Sequence, residues 1–157
     1  MKMVCKYQGN RYENKNFRDG NMIVYSKEPK EGYQKVQSKI TNQIRYAKYI
    51  PESELDEKYK VGCMAYYRGS FCYISGTIVE GKILISTDDF MFASQNDFER
   101  SDKYCWDKKI LFSEVSKLLF VKRWISSPRT GDYDVWLIEE DLESFFGKYI
   151  EGEIDYL

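Results

Sequence analysis

Histidine is absent from all 157 residues. That single absence removes Ser-His and Cys-His nucleophilic pairs, His-ligated zinc and imidazole acid–base chemistry together. Carboxylates and lysines are left as possible catalysts. No G-x-S-x-G elbow, Gly-rich phosphate loop, zinc pattern or dinucleotide fingerprint accompanies them. There is no apolar run of the roughly eighteen residues a membrane helix needs, and no signal-peptide core, since Met1-Lys2-Met3-Val4 leads straight into an alternating pattern. A soluble, cytoplasmic protein is expected. Cysteine is sparse: Cys5, Cys63, Cys72 and Cys105 include no C-x-x-C pair and sit among hydrophobic residues. In a reducing compartment, thiols so placed serve as small buried hydrophobes, not as ligands or nucleophiles. Asp88-Asp89 has no accompanying ligand cluster and falls in a Ser-Thr-Asp-Asp stretch that reads as a turn, so neither metal nor cofactor is expected.

What the chain does have is repetition. Shifted by sixty positions without a gap, Tyr7-Gln8-Gly9 falls on Tyr67-Arg68-Gly69 and Ile23-Val24-Tyr25-Ser26 on Ile83-Leu84-Ile85-Ser86. Lys48 and Ile50 fall on Lys108 and Ile110, Ser53-Glu54-Leu55 on Ser113-Glu114-Val115, and Val61 on Val121. The register holds through strands, turns and loops, as expected of two copies of one folding unit. About sixty residues is near the lower limit for an independent core. The 14 tyrosines suit pleated, half-buried sheet surfaces.

Each copy follows one plan. Val4–Tyr7 and Arg11-Tyr12 flank a tight turn at Gly9-Asn10, and Asp19-Gly20-Asn21 precedes the strand Met22–Tyr25. The second copy gives Met64–Tyr67, Gly69-Ser70, Phe71–Ile74, Glu80-Gly81 and Ile83–Ile85. Polar stretches, Ser26 to Ile44 and Thr87 to Lys103, read as the long loops, where specificity resides on repeated scaffolds. A further strand follows each: Arg45 to Ile50 and Tyr104 to Ile110. Next comes a single helical turn that Ser53 or Ser113 can cap, with Ser53-x-x-Asp56 completing a capping pattern. Tyr59–Val61 or Leu119–Val121 closes the copy. This order resembles the SH3-like or Tudor-like class of five-stranded barrels. It implies a mainly β protein with two tandem SH3-like repeats, 1–61 and 62–123, joined rigidly through Gly62-Cys63.

Residues 124–157 lie outside the repeat. Ile125 to Gly131 reads as a loop, and Ile138, Leu142, Phe145, Phe146 and Tyr149 are spaced as one face of a helix that Gly147 weakens or ends and that packs on a barrel. Charge changes sign here. Residues 1–130 hold 23 Lys and Arg against 16 Asp and Glu, whereas residues 131–157 hold nine acids against Lys148 alone. The acids are Asp132, Asp134, Glu139, Glu140, Asp141, Glu143, Glu151, Glu153 and Asp155. Glu139 to Glu143 fit the N-terminal end of a helix on electrostatic grounds alone. They also fit a docking surface for a basic partner, with Trp124, Tyr133 and Trp136 as anchors beside Asp132, Asp134, Glu139, Glu140, Asp141 and Glu143. Nucleic acid is a weaker match, because the lysines are scattered and the isoelectric point is acidic.

In size, composition and character, a histidine-free chain with a duplicated barrel and an acidic aromatic end resembles the immunity proteins that bacteria encode beside polymorphic or contact-dependent toxins. The resemblance implies a non-catalytic, stoichiometric inhibitor of a cognate toxin domain, a basic nuclease among the fitting partners. A tandem SH3-like or Tudor-like adaptor for a peptide or nucleic acid is the alternative, as is a phage-encoded inhibitor of a host defence protein. An adaptor needs tyrosines such as Tyr66, Tyr67 and Tyr73 in an exposed groove. An inhibitor needs the acidic end exposed with Trp124 or Trp136.

Overall fold

The computed structural model describes residues 1–126 and 128–154; Ser127 of the expected loop and Asp155 of the acidic tail lie outside the described residues. The chain is mainly β, 54% strand and 14% helical, built from curled antiparallel sheets that include a half-barrel, with a helix near the C-terminus. Its described residues divide into two compact units, one made of residues 2–60, 124–126 and 128–130, the other of Met1, 61–123 and 131–154.

The first unit opens with β1 (Lys2–Tyr7) and β2 (Asn10–Glu13), paired antiparallel with Tyr7 opposite Asn10. Gln8 and Gly9 turn the chain, with φ of 49° and 76°. Both central residues of such a two-residue hairpin must adopt positive φ, a conformation glycine takes without penalty. The turn therefore sits one residue earlier than the Gly9-Asn10 expected, because Asn10 is already paired. A second hairpin joins β3 (Asn16–Arg18) to β4 (Asn21–Ser26) through Asp19-Gly20, and β4 pairs with β6 (Ile44–Pro51), which also carries β5 (Gln34–Gln37). A 3-10 turn, Glu52–Glu54, leads into β7 (Glu57–Tyr67), which comes alongside β1 where Asp56 N donates to Lys6 O at 2.8 Å. One core cluster gathers Cys5, Met22, Val24 and Ile50, edged by Tyr7, Tyr12, Phe17 and Tyr33.

The second unit repeats the plan. From residue 61, β7 forms a hairpin with β8 (Ser70–Val79) through Arg68-Gly69, then β9 (Lys82–Thr87) follows after Glu80-Gly81. Helix α1 (Phe90–Gln95) and β10 (Glu99–Asp102) precede β11 (Cys105–Leu111), the 3-10 turn Phe112–Glu114 and β12 (Lys117–Trp124). As β7 pairs with β1 in the first unit, so β12 pairs with β7 here. The polar stretches thus hold ordered elements as well as loops. Asp88-Asp89 is a turn, with Asp89 capping α1 by accepting from Phe92 N at 3.0 Å. Neither serine caps its 3-10 turn, since both lie inside it. Instead Glu114 accepts from Leu111 N at 3.0 Å, and Asp56 accepts from Gln8 N at 2.9 Å, tying that corner to the first hairpin.

The sixty-residue offset holds at β2 and β8, at the two 3-10 turns and at the closing strands, but not between β4 and β9. Met22 faces Ile50 across its pair as Ile83 faces Ile110, and Glu52 N donates to Gly20 O as Phe112 N donates to Gly81 O. Met22, not Ile23, is therefore the counterpart of Ile83. The ungapped comparison hid this slip because Met22, Ile23 and Val24 are all buried, so side-chain type does not reveal which face a residue occupies.

Residues 131–154 are not one helical segment. Tyr133–Ile138 forms β13, antiparallel to β12, and only Leu142–Glu151 is helical, as α2. Ile138 therefore belongs to a strand opposite Leu118. Helix α2 runs through Gly147 and ends at Gly152, whose φ of 79° lets its N–H reach Tyr149 O at 3.2 Å while Glu153 N reaches Lys148 O. Its apolar face docks within the second unit: Phe146 lies 5.8 Å from Phe112, and Tyr149 lies 6.1 Å from Phe120. No described helix is long and apolar enough to cross a membrane.

Candidate protein-docking site

Strand β13 alternates because it is paired on one side and covered on one face. Asp134, Trp136 and Ile138 are half-buried, whereas Tyr133, Val135 and Leu137 are 55%, 53% and 49% exposed. Trp136 faces inward, 5.5 Å from Phe120, on the side that α2 covers. Tyr133 faces outward under the Arg123 guanidinium, 5.7 Å from the ring centroid. Cross-strand partners share a face, so half-buried Leu119 lies beside Leu137 and buried Val121 beside Val135, and the exposed stripe is made by Tyr133, Val135 and Leu137. Among the described residues β13 pairs with β12 alone, which makes it a sheet edge.

Acidic side chains frame this edge. Asp132 is exposed just before it, Asp134 lies opposite Lys122 in register, and Glu139 and Glu140 are exposed just after it. Glu139 forms an ion pair with Lys117 at 3.0 Å, both side chains open to water. Asp141 takes a left-handed conformation, φ 51°, and its carbonyl accepts the first bond of α2, from Phe145 N at 2.9 Å. Glu143 alone sits in the first turn of α2. Helix electrostatics therefore account for Glu143 and the Asp141 cap but not for Glu139 and Glu140.

Tyr133, Glu139, Glu140, Asp141 and Glu143 thus follow one another along an exposed strand, turn and helix start. Trp124 belongs to the first unit, half-buried, with Tyr59 at 5.4 Å and Arg129 at 4.9 Å. Val135, Leu137 and Arg123 were absent from the expected set. The period-two pattern in Tyr-Asp-Val-Trp-Leu-Ile carried the signal for the first two.

Two other concave features contrast with this surface. An open groove of about 450 Å³ is lined by Leu84, Asp97, Glu99, Arg100, Asp107 and Lys108 among others. The Lys108 ammonium there donates to Asn96 O at 2.7 Å and lies over the Tyr67 ring, a structural engagement. A smaller hollow of about 200 Å³ is lined by Cys63, Met64, Tyr73, Val121 and Tyr149 among others. Burial pushes the Cys63 thiol up to about 12, so it is protonated and unreactive at neutral pH. Among the described residues, no three Cys, Asp or Glu side chains gather as a metal site would require.

A family model described as "Uncharacterised conserved protein UCP033725" matches residues 2–126. The matched stretch spans β1 to β12 and stops before β13 and α2. No curated protein and no solved structure matches the chain.

Proposed function

We propose that this chain, which belongs to the uncharacterised conserved protein family UCP033725, is a non-catalytic binding protein: an immunity protein that neutralises a cognate toxin by stoichiometric docking at its acidic C-terminal end. The observation that carries the reading is β13, where an exposed apolar stripe is bracketed by Asp132 on one side and by Glu139, Glu140, Asp141 and Glu143 on the other. Apolar contact supplies affinity and the surrounding acids supply steering and selection for a basic partner, such as a nuclease domain. The anchors on this reading are Tyr133, Val135 and Leu137, because Trp124 and Trp136 are half-buried in packing of their own.

Each repeat is an SH3-like barrel in this proposal. The support is the element order, with a 3-10 turn before the closing strand and that strand paired to the opening one. An adaptor groove fits less well: Tyr67 is 2% exposed, Tyr66 packs edge-on against Phe71, and only Tyr73 is open. A cytoplasmic location fits four free cysteines, three of them buried.

The test is capture of a partner by the tagged chain, compared with a variant carrying Glu139→Lys, Glu140→Lys and Glu143→Lys. Asp141 is left unchanged because its positive φ disfavours lysine. The Glu139–Lys117 pair is exposed and contributes at most about 1 kcal/mol, so the melting temperature should hardly move. Wild type should retain one basic protein in stoichiometric amount, released by salt, and the variant should bind it at least about tenfold more slowly. Undiminished capture by the variant sinks the reading.

A further inference from the structure

Sheet edges in natural proteins are shielded, since a bare one offers hydrogen-bonding groups to any passing strand. Among the described edges, β10 is shielded by its sequence Glu-Arg-Ser-Asp, every residue exposed, and by an irregularity between Arg100 and Asp102. At the other end of the same sheet β2 has four residues, polar except for Tyr12; β5 is polar except for Val36, and β3 has three residues. β13 is six residues long, pairs on one side, and turns Tyr133, Val135 and Leu137 outward with no lysine, proline or bulge. We infer that β13 is an acceptor edge on which the partner lays an extended segment as an additional strand, one with alternating apolar residues and lysine or arginine at its two ends. The inference rests on the docking role proposed above and says how that docking is made.

Charge selects the occupant. Two copies of β13 paired antiparallel would bring Asp132 of one against the Glu139–Glu140 end of the other, and parallel pairing would stack like on like. Either arrangement sets carboxylates together, which disfavours a second copy of this chain. A basic segment meets Glu139 and Glu140 at one end and Asp132 at the other, where Arg123 lies over Tyr133, while its apolar side chains extend the stripe that Val135 and Leu137 begin. Backbone bonds to the edge give affinity, and alternate side chains give specificity.

The probe is a capped peptide, Lys-Lys-Val-Thr-Val-Thr-Val-Lys-Lys, titrated into the full chain. Amide exchange is followed along β13, and an otherwise identical peptide with glutamate for lysine serves as control. Two further versions carry N-methyl groups on the valines or on the threonines. Alternate amides of a strand point to opposite sides, so strand addition requires one methylated version to lose about tenfold or more in affinity and the other to stay close to the parent. The expected result is that asymmetry, with β13 amides slowed and with binding weakened by Val135→Lys. Equal tolerance of both methylated versions, with the glutamate peptide rejected, overturns strand addition yet leaves the acidic docking surface standing. Failure of the lysine peptide to bind, or equal binding of the glutamate control, overturns the inference together with the charge argument beneath it.

Discussion

Placed side by side, the two repeats agree in backbone and differ in content. Gln8-Gly9 and Arg68-Gly69 adopt the same positive-φ pair, as do Asp19-Gly20 and Glu80-Gly81, and the two 3-10 turns begin at Glu52 and Phe112. Yet the first repeat breaks its second strand into β2 and β3 where the second has one ten-residue β8, and inserts β5 where the second inserts α1 and β10. The second repeat also gains β13 and α2, and with them Phe146 and Tyr149 as buried aromatics. Turn geometry specifies the scaffold, while the inserted and appended elements make the copies different.

If the appended helix is what enlarges the second core, removing its main contact should have the largest effect. Phe120 is fully buried and lies within ring contact of Trp136, Phe145 and Tyr149. Phe120→Ala should cost about 3–5 kcal/mol, read by urea unfolding, and should strip exchange protection from α2 before β4 and β6 are affected. Simultaneous loss in both would mean that the units open as one and that the comparison has no energetic content.

A smaller effect separates equivalent residues. Tyr67 is 2% exposed and Tyr7 is half-buried, although they occupy the same place beside the same turn. Tyr67→Ala should therefore cost about 3–5 kcal/mol and Tyr7→Ala about half of that. Equal losses would show that burial in the two repeats is energetically the same.

The smallest expected difference is in the thiols. Burial raises Cys63 from 9.0 to about 12 and Cys72 to about 11. Cys5 in the first repeat is also raised, mainly by burial, but Lys58 pulls it down while Glu52 pushes it up. A thiol held protonated by folding contributes stability that is complete below pH 9. That contribution fades as pH rises from 9 toward 12, because the unfolded thiol ionises first. Melting temperature should thus fall with alkalinity, less steeply in Cys63→Ala than in wild type, and Cys5→Ala should flatten the curve less. Identical slopes in all three proteins would remove the thiol contribution.

Much of the scaffold was legible in the sequence, because hairpin turns advertise themselves through glycine and because two copies check each other. Gly9 with Gly69 and the Ser-Glu pairs located turns to within a residue. The one-residue slip at β4 was not legible, since strands buried on both faces lose their alternation. Nor was β5, because Gln-Lys-Val-Gln is too polar to show a period and is held in place by pairing with β6. At the candidate site, Ile138 stands four residues before Leu142 and mimicked a helical face, masking the alternation of β13. The acids were legible as a group; their division between strand edge, turn and helix cap was not, because that depends on where the helix begins.

One detail of the first unit bears on the order in which this protein is made. Lys58 in β7 donates its backbone N–H to Ser126 Oγ at 3.0 Å, and its carbonyl accepts from the backbone of both Ile125 and Ser126. The amino-terminal repeat is therefore completed by residues synthesised after the entire second repeat. On the ribosome it emerges with those groups at Lys58 still hydrated, and it reaches its final form only when the chain has passed residue 126.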